Sequence, residues 1–297
     1  MTEEEYQEQL ACEERPPRIT HKSKGISESK KLALLYARQH KQYERRIYPL
    51  FLRALRKQLE PVINWVAEFG TDPPLEALIK PSIFRKPMQQ AYDMVAVTAA
   101  RREYYYMKGI EEKGLIDFLV EKWRTIFNDY ATTYAYRVES DLSETTKEEI
   151  RRALAYAYEN QLNANQTAAY IKKSVYNQIS RKRAVVIART EATTASNLGK
   201  EIGAKEWLKE TGQAGYKQWL GREDSRERGF GTDHGHWAMN DDIIPMEQDW
   251  ELTDDKGAVS HGQRPGDTRL PANQRVNCRC SQLFMSARRY ERMQQGQ

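Results

Sequence analysis

The chain has 297 residues, enough for about two ordinary domains, and its net charge is +5. A hydrophobic fraction of 39% and a charged fraction of 30% fit a soluble globular protein. No stretch reaches the roughly 20 apolar residues of a membrane helix, residues 1–6 are unlike a secretory signal, and three cysteines do not make a disulfide scaffold. We therefore expect no membrane partner, and a chain that stays in the cytoplasm or enters an assembly from there.

Charge is distributed unevenly along the chain. Residues 1–14 hold six glutamates and no basic residue, whereas residues 15–57 hold thirteen basic residues and two acidic ones. Residues 161–190 have six basic residues and no acid, and residues 229–255 have eight acids and no base. Such segregation predicts separate contact surfaces, and basic stretches attract phosphate whatever the nucleotide sequence. Ordinary solvated helix faces remain the alternative interpretation for each segment.

The first 160 residues are predicted to form a tail and a helical body. Residues 1–30 are polar and rich in charge and serine, which predicts a flexible tail. Over residues 31–160, apolar side chains recur at three- and four-residue steps, which predicts an elongated helical body. We expect Pro49 and Pro61 to kink or divide its first helix.

A second helical block, predicted over residues 88–136, is dense in aromatic residues. It contains Tyr104-Tyr-Tyr106 and Trp123, with Arg101 and Arg102 nearby. Such rings stack on nucleic acid bases in some proteins, but packing between helices is the interpretation we favour.

Three further helices are predicted up to residue 210. Thr145-Thr-Lys-Glu148 has the spacing of a capping box, so we expect a new helix to begin there. Asn163 is expected to open the next helix, which ends near residue 179, and a longer one follows over residues 181–210. Gly212 lies where a helix commonly ends.

Beyond Tyr216 the helical periodicity disappears and glycines, prolines and short strand-like pieces take its place. Strands are predicted at residues 216–220, 242–245 and 275–284. The fold class expected from the whole chain is mostly α, with a small C-terminal α+β module that packs against the last helices.

One ordered series of motifs extends over residues 180–284, about a third of the chain. The series is Ser180-Arg-Lys-Arg-Ala184, Ala188-Arg-Thr-Glu191, Asn197 and Gly199, Trp219, Asp224-Ser-Arg226-Glu-Arg228, His236, and Asn277-Cys-Arg-Cys280. This series resembles the tailed-phage head-morphogenesis family (Mu F-like), whose pattern runs R-A-x-x-I-A-R-T-E, A-x-N-x-G, W, D-x-x-x-R-x-x-H and N/P-C-R-C. An insertion at residues 229–235 leaves open whether His234 or His236 fills the family position.

The resemblance implies a Mu F-like domain over residues 161–285, followed by a basic tail over residues 286–297. It also implies a minor capsid protein of a bacteriophage virion, packaged inside the head near the portal after assembly in the host cytoplasm. Its expected partners are the portal protein, a scaffold or major capsid protein, and double-stranded DNA, and its expected roles are procapsid assembly and DNA packaging or ejection. No small-molecule substrate is expected.

The motif residues are expected to hold the module together and to take no part in catalysis. Arg189 and Glu191 are two positions apart on a helix and cannot face each other, so Glu191 is expected to pair with Arg226 or Arg228, and Arg189 with a carbonyl or an acid. The full structural set is Arg189, Glu191, Asn197, Trp219, Asp224, Arg226, Arg228, His236, Asn277 and Arg279.

The basic residues of two segments are predicted to contact DNA or the portal. They are Arg38, Lys41, Arg45, Arg46, Lys172, Lys173, Arg181, Lys182 and Arg183.

Two histidines and two cysteines are candidate metal ligands. On an extended chain, residues two apart face the same side, so His234 and His236 with Cys278 and Cys280 would make a tetrahedral zinc set. His261 is a further candidate ligand. The alternative, which we favour at this point, is a pair of buried thiols with His236 hydrogen-bonded nearby and no cofactor.

A second function considered is a non-specific DNA-binding virion protein, whose basic segments would coat DNA without a fixed position in the head. An enzyme is the third class of function considered. His234, His236 and Asp224 with Asp241 and Asp242 would suit a metal-dependent hydrolase or nuclease, and a Cys278–His236 pair would suit nucleophilic catalysis. The chain has no His-Glu-x-x-His, phosphate-binding glycine loop or Gly-x-Ser-x-Gly. We therefore expect a protein that is not an enzyme.

Overall fold

The computed structural model describes residues 28–70, 72–109 and 117–295. Most of these residues are helical. The helices are α1 (Glu28–Phe69), α2 (Leu75–Leu78), α3 (Arg85–Lys108), α4 (Asp117–Glu159), α5 (Ala164–Ile171), α6 (Ser180–Thr211), α7 (Gly235–Ala238), α8 (Ala272–Arg275) and α9 (Ala287–Gln294). A short 3₁₀ turn (Pro81–Phe84) precedes α3, and a π-helical segment (Lys172–Ile179) joins α5 to α6.

Among the described residues the strands all lie after α6, in two small antiparallel sheets. They are β1 (Gly215–Leu220), β2 (Ile243–Pro245), β3 (Trp250–Thr253), β4 (Val259–Gly262) and β5 (Ser281–Ser286). One sheet has the order β2-β1-β5 and the other is a β3-β4 hairpin. In the first sheet Trp219 pairs with Gln282, and in the hairpin Trp250 pairs with Gly262. The predicted fold class, mostly α with a small C-terminal α+β module, is confirmed.

Long helices dominate the N-terminal body. Helix α1 has 42 residues and α4 has 43, so each is about 60 Å long at the usual rise per residue. Within the part of the chain that the structure describes, none of the helices is both long and apolar enough to span a membrane.

Helix α6 lies against α3 at very short range. A Cβ atom added to Gly199 would lie 2.2 Å from the carbonyl oxygen of Ala96, and one added to Gly203 would lie 2.1 Å from that of Ala100. All four positions are small residues spaced by four, so they form one smooth face on each helix. Larger side chains here would force the two helices apart.

The main apolar core joins α1, α3, α4 and α6. It includes Phe51 of α1, Tyr92 of α3, Phe127 of α4 and Leu198 of α6, and it therefore draws on both sides of residue 160. A second core fills the far end of the helical body around Val62. The predicted boundary at residue 160, between a helical body and a Mu F-like domain, stays a prediction.

The module has its own small core and two contacts with the helices. Trp219, Trp250 and Leu252 pack with Cys278 and Cys280 inside the module. The first sheet also packs on the helical body, through two clusters. They consist of Tyr36 with Leu220, Leu283 and Met285, and of Ala204 and Leu208 with Met246 and Phe284.

Several sequence predictions are confirmed by these elements. The side chain of Asn163 accepts a hydrogen bond from the Gln166 backbone, and Gln166 returns one, so Asn163 caps α5 as expected. Gly212 ends α6 with a φ of 63°, in the left-handed region. The aromatic residues of the second block are mostly core, since Tyr104, Tyr105 and Trp123 are buried.

Three local predictions are wrong. Pro49 and Pro61 do not divide the first helix: α1 continues through both, and both lie on its exposed side while its apolar face is buried. Thr145 lies inside α4 and its hydroxyl donates to the Asp141 carbonyl, so no helix begins there. Residues 276–280, expected in a strand, form a loop that precedes β5.

The predicted flexible tail over residues 1–30 lies outside the described residues, except for its last three, which begin α1. The C-terminal segment, expected only to be a basic tail, forms α9, and Ser286 caps it through the Arg289 backbone N–H.

Substitution of Gly199 or Gly203 by alanine tests the close contact between α3 and α6. Alanine is the better helix former, yet the added methyl group must displace a carbonyl, so we expect each variant to lose about 1–3 kcal/mol of unfolding free energy. Urea denaturation would measure the loss. Lys209→Ala, at an exposed position of the same helix, is the control and should change stability by less than about 0.5 kcal/mol. Unchanged stability in both glycine variants would contradict the close contact.

Candidate functional site

Most of the motif residues meet where α6 faces the loop before β5. The Asn197 amide donates to the carbonyl oxygens of Pro265 and Cys280, at 3.1 Å each. The Thr193 hydroxyl donates to the Cys278 carbonyl at 2.8 Å, and the Asn277 backbone N–H donates to the Thr190 hydroxyl at 2.9 Å. Polar side chains on one face of α6 therefore bind the backbone of the Asn-Cys-Arg-Cys segment.

The backbone of this segment turns sharply at Asn277. Its φ is 63°, in the left-handed region that asparagine tolerates better than most residues. The turn directs the Asn277 side chain toward Arg189, whose guanidinium donates to its oxygen at 3.0 Å.

Arg189 also reaches across to α1. Its guanidinium donates to both carboxylate oxygens of Glu44 at 3.2 Å, and Glu44 is buried. Arg189 therefore pairs with an acid, as expected, but this acid lies in α1 and not in the C-terminal module. Because Arg189 binds both Glu44 and Asn277, it links α1, α6 and the module through one side chain.

Glu191 is buried at the α3–α4–α6 contact. It accepts hydrogen bonds from the hydroxyls of Tyr134 at 3.0 Å and Tyr92 at 3.3 Å. The pairing expected with Arg226 or Arg228 is wrong, because Glu191 points into the helical core and away from that loop. Burial raises the pKa of Glu191 to about 7, although Arg275 and the two tyrosine hydroxyls act in the opposite direction.

Asp224 holds the loop after β1. Arg279 donates to its two carboxylate oxygens at 3.0 and 3.1 Å, and Arg226 donates to it from both its backbone and its side chain. Partial burial works to raise the pKa of Asp224, but these arginine hydrogen bonds outweigh it and lower the pKa to about 2. Arg228 donates to the Val276 carbonyl, so Asp224 and Arg228 both attach this loop to the Asn-Cys-Arg-Cys segment.

His236, Cys278 and Cys280 form a compact buried cluster. His236 Nδ1 lies 3.5 Å from Cys278 Sγ and 3.4 Å from Cys280 Sγ. Trp219 packs edge-on against the imidazole, with 5.3 Å between ring centroids. A hydrogen bond from the Cys280 thiol lowers the pKa of Cys278.

The structure brings together three of the four predicted metal ligands. Among the described residues, this is the one group of three or more His, Cys, Asp or Glu side chains with ligand atoms close enough for a metal ion. His234 lies outside it, with Nδ1 3.5 Å from the Asp233 carboxylate, because the turn at Gly235 separates the two histidines. Of the two histidines, only His236 lies beside Cys278 and Cys280, where a metal-binding or hydrogen-bonding histidine was expected.

Of the two constellations considered for an enzyme, the one for a metal-dependent hydrolase or nuclease is not assembled as expected. Asp224 is bound by two arginines, and Asp241 and Asp242 do not belong to the described cluster. His261 lies on the exposed side of β4. Cys278 and His236 are in contact, as a nucleophilic pair would need.

Sequence reasoning missed Lys200. Its buried ammonium donates to the Ser281 hydroxyl at 2.7 Å and to the Gln282 carbonyl at 2.6 Å, and it lies over the ring of Tyr36. Burial lowers the pKa of Lys200 to about 7, with Glu103 acting against that shift. Thr193, Asn197 and Lys200 are spaced by four and three residues, so they lie on one face of the helix, and this spacing could have indicated that Lys200 shares the contacts of the other two.

The predicted contact residues divide into two groups. Six are exposed: Arg38, Arg45, Arg46, Lys172, Lys173 and Lys182. Lys41, Arg181 and Arg183 are half-buried. Arg183 donates to the Thr146 hydroxyl and the Leu142 carbonyl, at 2.8 Å each, so its guanidinium links α6 to α4.

Comparisons with models of protein families, with curated proteins and with solved structures found no match for this chain.

The raised pKa of Glu191 predicts a pH-dependent stability. Between about pH 4.5 and pH 7 the unfolded chain releases the Glu191 proton while the folded chain retains it, so the unfolding free energy should fall as pH rises. Glu191→Gln removes this titration, and its stability relative to wild type should improve by up to about 3 kcal/mol from pH 5 to pH 8. Urea denaturation of both proteins at the two pH values measures this. A difference that stays constant with pH would contradict the buried, protonated carboxyl.

Proposed function

We propose that the chain is a structural protein of a tailed-phage head, a minor component that joins the procapsid near the portal and acts in DNA packaging and ejection. The family resemblance of residues 180–284 supplies the identity of the assembly. The observation that supports a structural role is that the motif side chains form hydrogen bonds within the chain. Arg189, Asn197, Asp224 and Arg279 are all engaged in hydrogen bonds that hold the module to the helices or close its loops.

This arrangement favours an interaction protein over an enzyme. A catalytic group must be able to reach a substrate, whereas these side chains are committed to partners within the chain. A minor head protein instead needs a rigid unit that carries contact surfaces. The network between α6 and the module provides such a unit in this proposal.

Portal, scaffold or major capsid protein and DNA are the proposed partners. The exposed lysines Lys172, Lys173 and Lys182 lie within 161–190, a segment with six basic residues and no acid. Ammonium groups on a surface without nearby acids in sequence attract phosphate through counterion release. We propose that this segment contacts packaged DNA.

The location is tested in the phage that encodes the chain. Quantitative mass spectrometry of purified procapsids and mature heads should find this polypeptide in both, at few copies per particle. A phage with a stop codon early in this gene should produce particles with reduced DNA content or poor ejection. A polypeptide absent from both kinds of particle would overturn the proposal.

DNA contact is tested by the salt dependence of binding. Replacing Lys172, Lys173 and Lys182 by alanine should weaken binding to double-stranded DNA and reduce the slope of log K against log salt by about 0.9 for each phosphate that the variant no longer neutralises. The control removes three exposed charges elsewhere: Arg137→Ala, Lys209→Ala and Lys256→Ala. An equal weakening in both triple variants would show a general charge effect and contradict a contact at this segment.

A further inference from the structure

The cluster of His236, Cys278 and Cys280 has the dimensions of a metal site. A zinc ion binds sulfur at about 2.3 Å and nitrogen at about 2.0 Å, so adjacent sulfur and nitrogen ligands of a tetrahedron lie about 3.5 Å apart. His236 Nδ1 lies 3.5 and 3.4 Å from the two sulfurs. All three ligand atoms lie within 4.8 Å of one another, and all three residues are buried. The two nitrogen–sulfur separations are those of neighbouring ligands in a zinc tetrahedron.

The two cysteines are held in place by hydrogen bonds to their backbone and to one of their sulfurs. The backbone N–H of Cys280 donates to Cys278 Sγ at 3.5 Å, and Thr193 and Asn197 of α6 bind the carbonyls of Cys278 and Cys280. Among the described residues, the imidazole has no polar contact at its second nitrogen, Nε2. The polar contacts described for the ring are therefore all on the side of the sulfurs.

Glu227 places a carboxylate oxygen at the edge of the cluster, outside the set of three ligand atoms that lie within 4.8 Å of one another. Its Oε1 lies 3.8 Å from Cys280 Sγ, and its other oxygen accepts the Glu223 backbone N–H at 2.8 Å. The carboxylate fits there because residue 221 is glycine: a Cβ at Gly221 would lie 1.9 Å from Oε1 of Glu227.

We propose that His236 Nδ1, Cys278 Sγ and Cys280 Sγ bind one Zn²⁺ ion, and that the Glu227 carboxylate moves in from the edge of the cluster as the fourth ligand. Both thiols lose their protons to solvent as the two zinc–sulfur bonds form. Two thiolates, one carboxylate and Zn²⁺ leave a charge of −1, and the guanidinium of Arg228 in the same recess offsets it. With four protein ligands the site is closed, as structural zinc sites are.

Zinc at this position ties three separate pieces of chain together. Glu227 lies in the loop after β1, His236 in α7, and the cysteines in the segment before β5. Residues 221–240 contribute few apolar side chains to the module core, so a metal ion would add a link that apolar packing does not supply there. The inference does not depend on the proposed phage function.

The metal content of the full-length chain tests the site. Protein purified without chelator should carry one zinc ion per chain by plasma mass spectrometry, and a strong chelator should remove it and lower the melting temperature. Exchange for Co²⁺ should give a thiolate-to-cobalt charge-transfer band in the near ultraviolet and the visible bands of a tetrahedral ion. These readouts use the wild-type protein and need no variant to fold.

Variants identify the ligands. Cys278→Ser, Cys280→Ser and His236→Ala should each lose the bound zinc, and Glu227→Gln should retain it with an affinity reduced by at least about tenfold and with altered cobalt visible bands. Cys12→Ser and His234→Ala are the matched controls and should bind like wild type.

Wild-type protein without zinc that also fails to give the cobalt charge-transfer band would overturn the proposal and leave a hydrogen-bonded thiol–imidazole cluster. Loss of zinc in His234→Ala with retention in His236→Ala would overturn this ligand set. An unchanged affinity in Glu227→Gln would overturn the assignment of the fourth ligand.

Discussion

Over its middle third, α6 is enclosed on every side: each residue from Thr190 to Glu201 is buried. One side meets α3 through Gly199 and Gly203, where backbone contacts leave no room for a side chain. The other side meets the C-terminal module. A helix buried all round must satisfy every polar side chain that it carries, because an unpaired buried polar group costs about 1–3 kcal/mol. That requirement determines how the module attaches to the helical body.

The polar residues of this helix are satisfied mainly by backbone of the module. Thr193 and Asn197 donate hydrogen bonds to the carbonyls of Cys278 and Cys280. Lys200 donates to the carbonyl of Gln282, at the start of β5. The same segment then presents its two sulfurs to His236. The positions of the two sulfurs therefore depend on the packing of α6 against the Asn-Cys-Arg-Cys segment. A metal ion bound to these sulfurs would hold the same segment from the side of the module. The motif contacts and the proposed zinc site thus share the Asn-Cys-Arg-Cys segment, whose carbonyls bind α6 and whose sulfurs face His236.

Two buried ionisable groups show how closely this helix is packed. Burial brings the pKa of Glu191 and that of Lys200 to about 7 from opposite directions. Each is retained in the core with hydrogen-bond partners: tyrosine hydroxyls for Glu191, and a serine hydroxyl and a carbonyl for Lys200. A rigid junction of this kind suits a protein that presents surfaces to an assembly, which is the role we propose.

Sequence patterns alone determined that residues 31–210 are mainly helical, that Asn163 caps a helix and that a small α+β module follows Tyr216, because these depend on neighbours within a few residues of each other. They did not determine that α1 and α4 continue unbroken. Motif order and residue type also singled out Arg189, Asn197, His236 and the two cysteines. Only the tertiary structure decided their partners: Glu44 for Arg189, tyrosines for Glu191, and Glu227 beside the cysteines where His234 was expected. Those pairings join residues tens to more than a hundred positions apart. They are set by how α6 packs, and no local pattern records that.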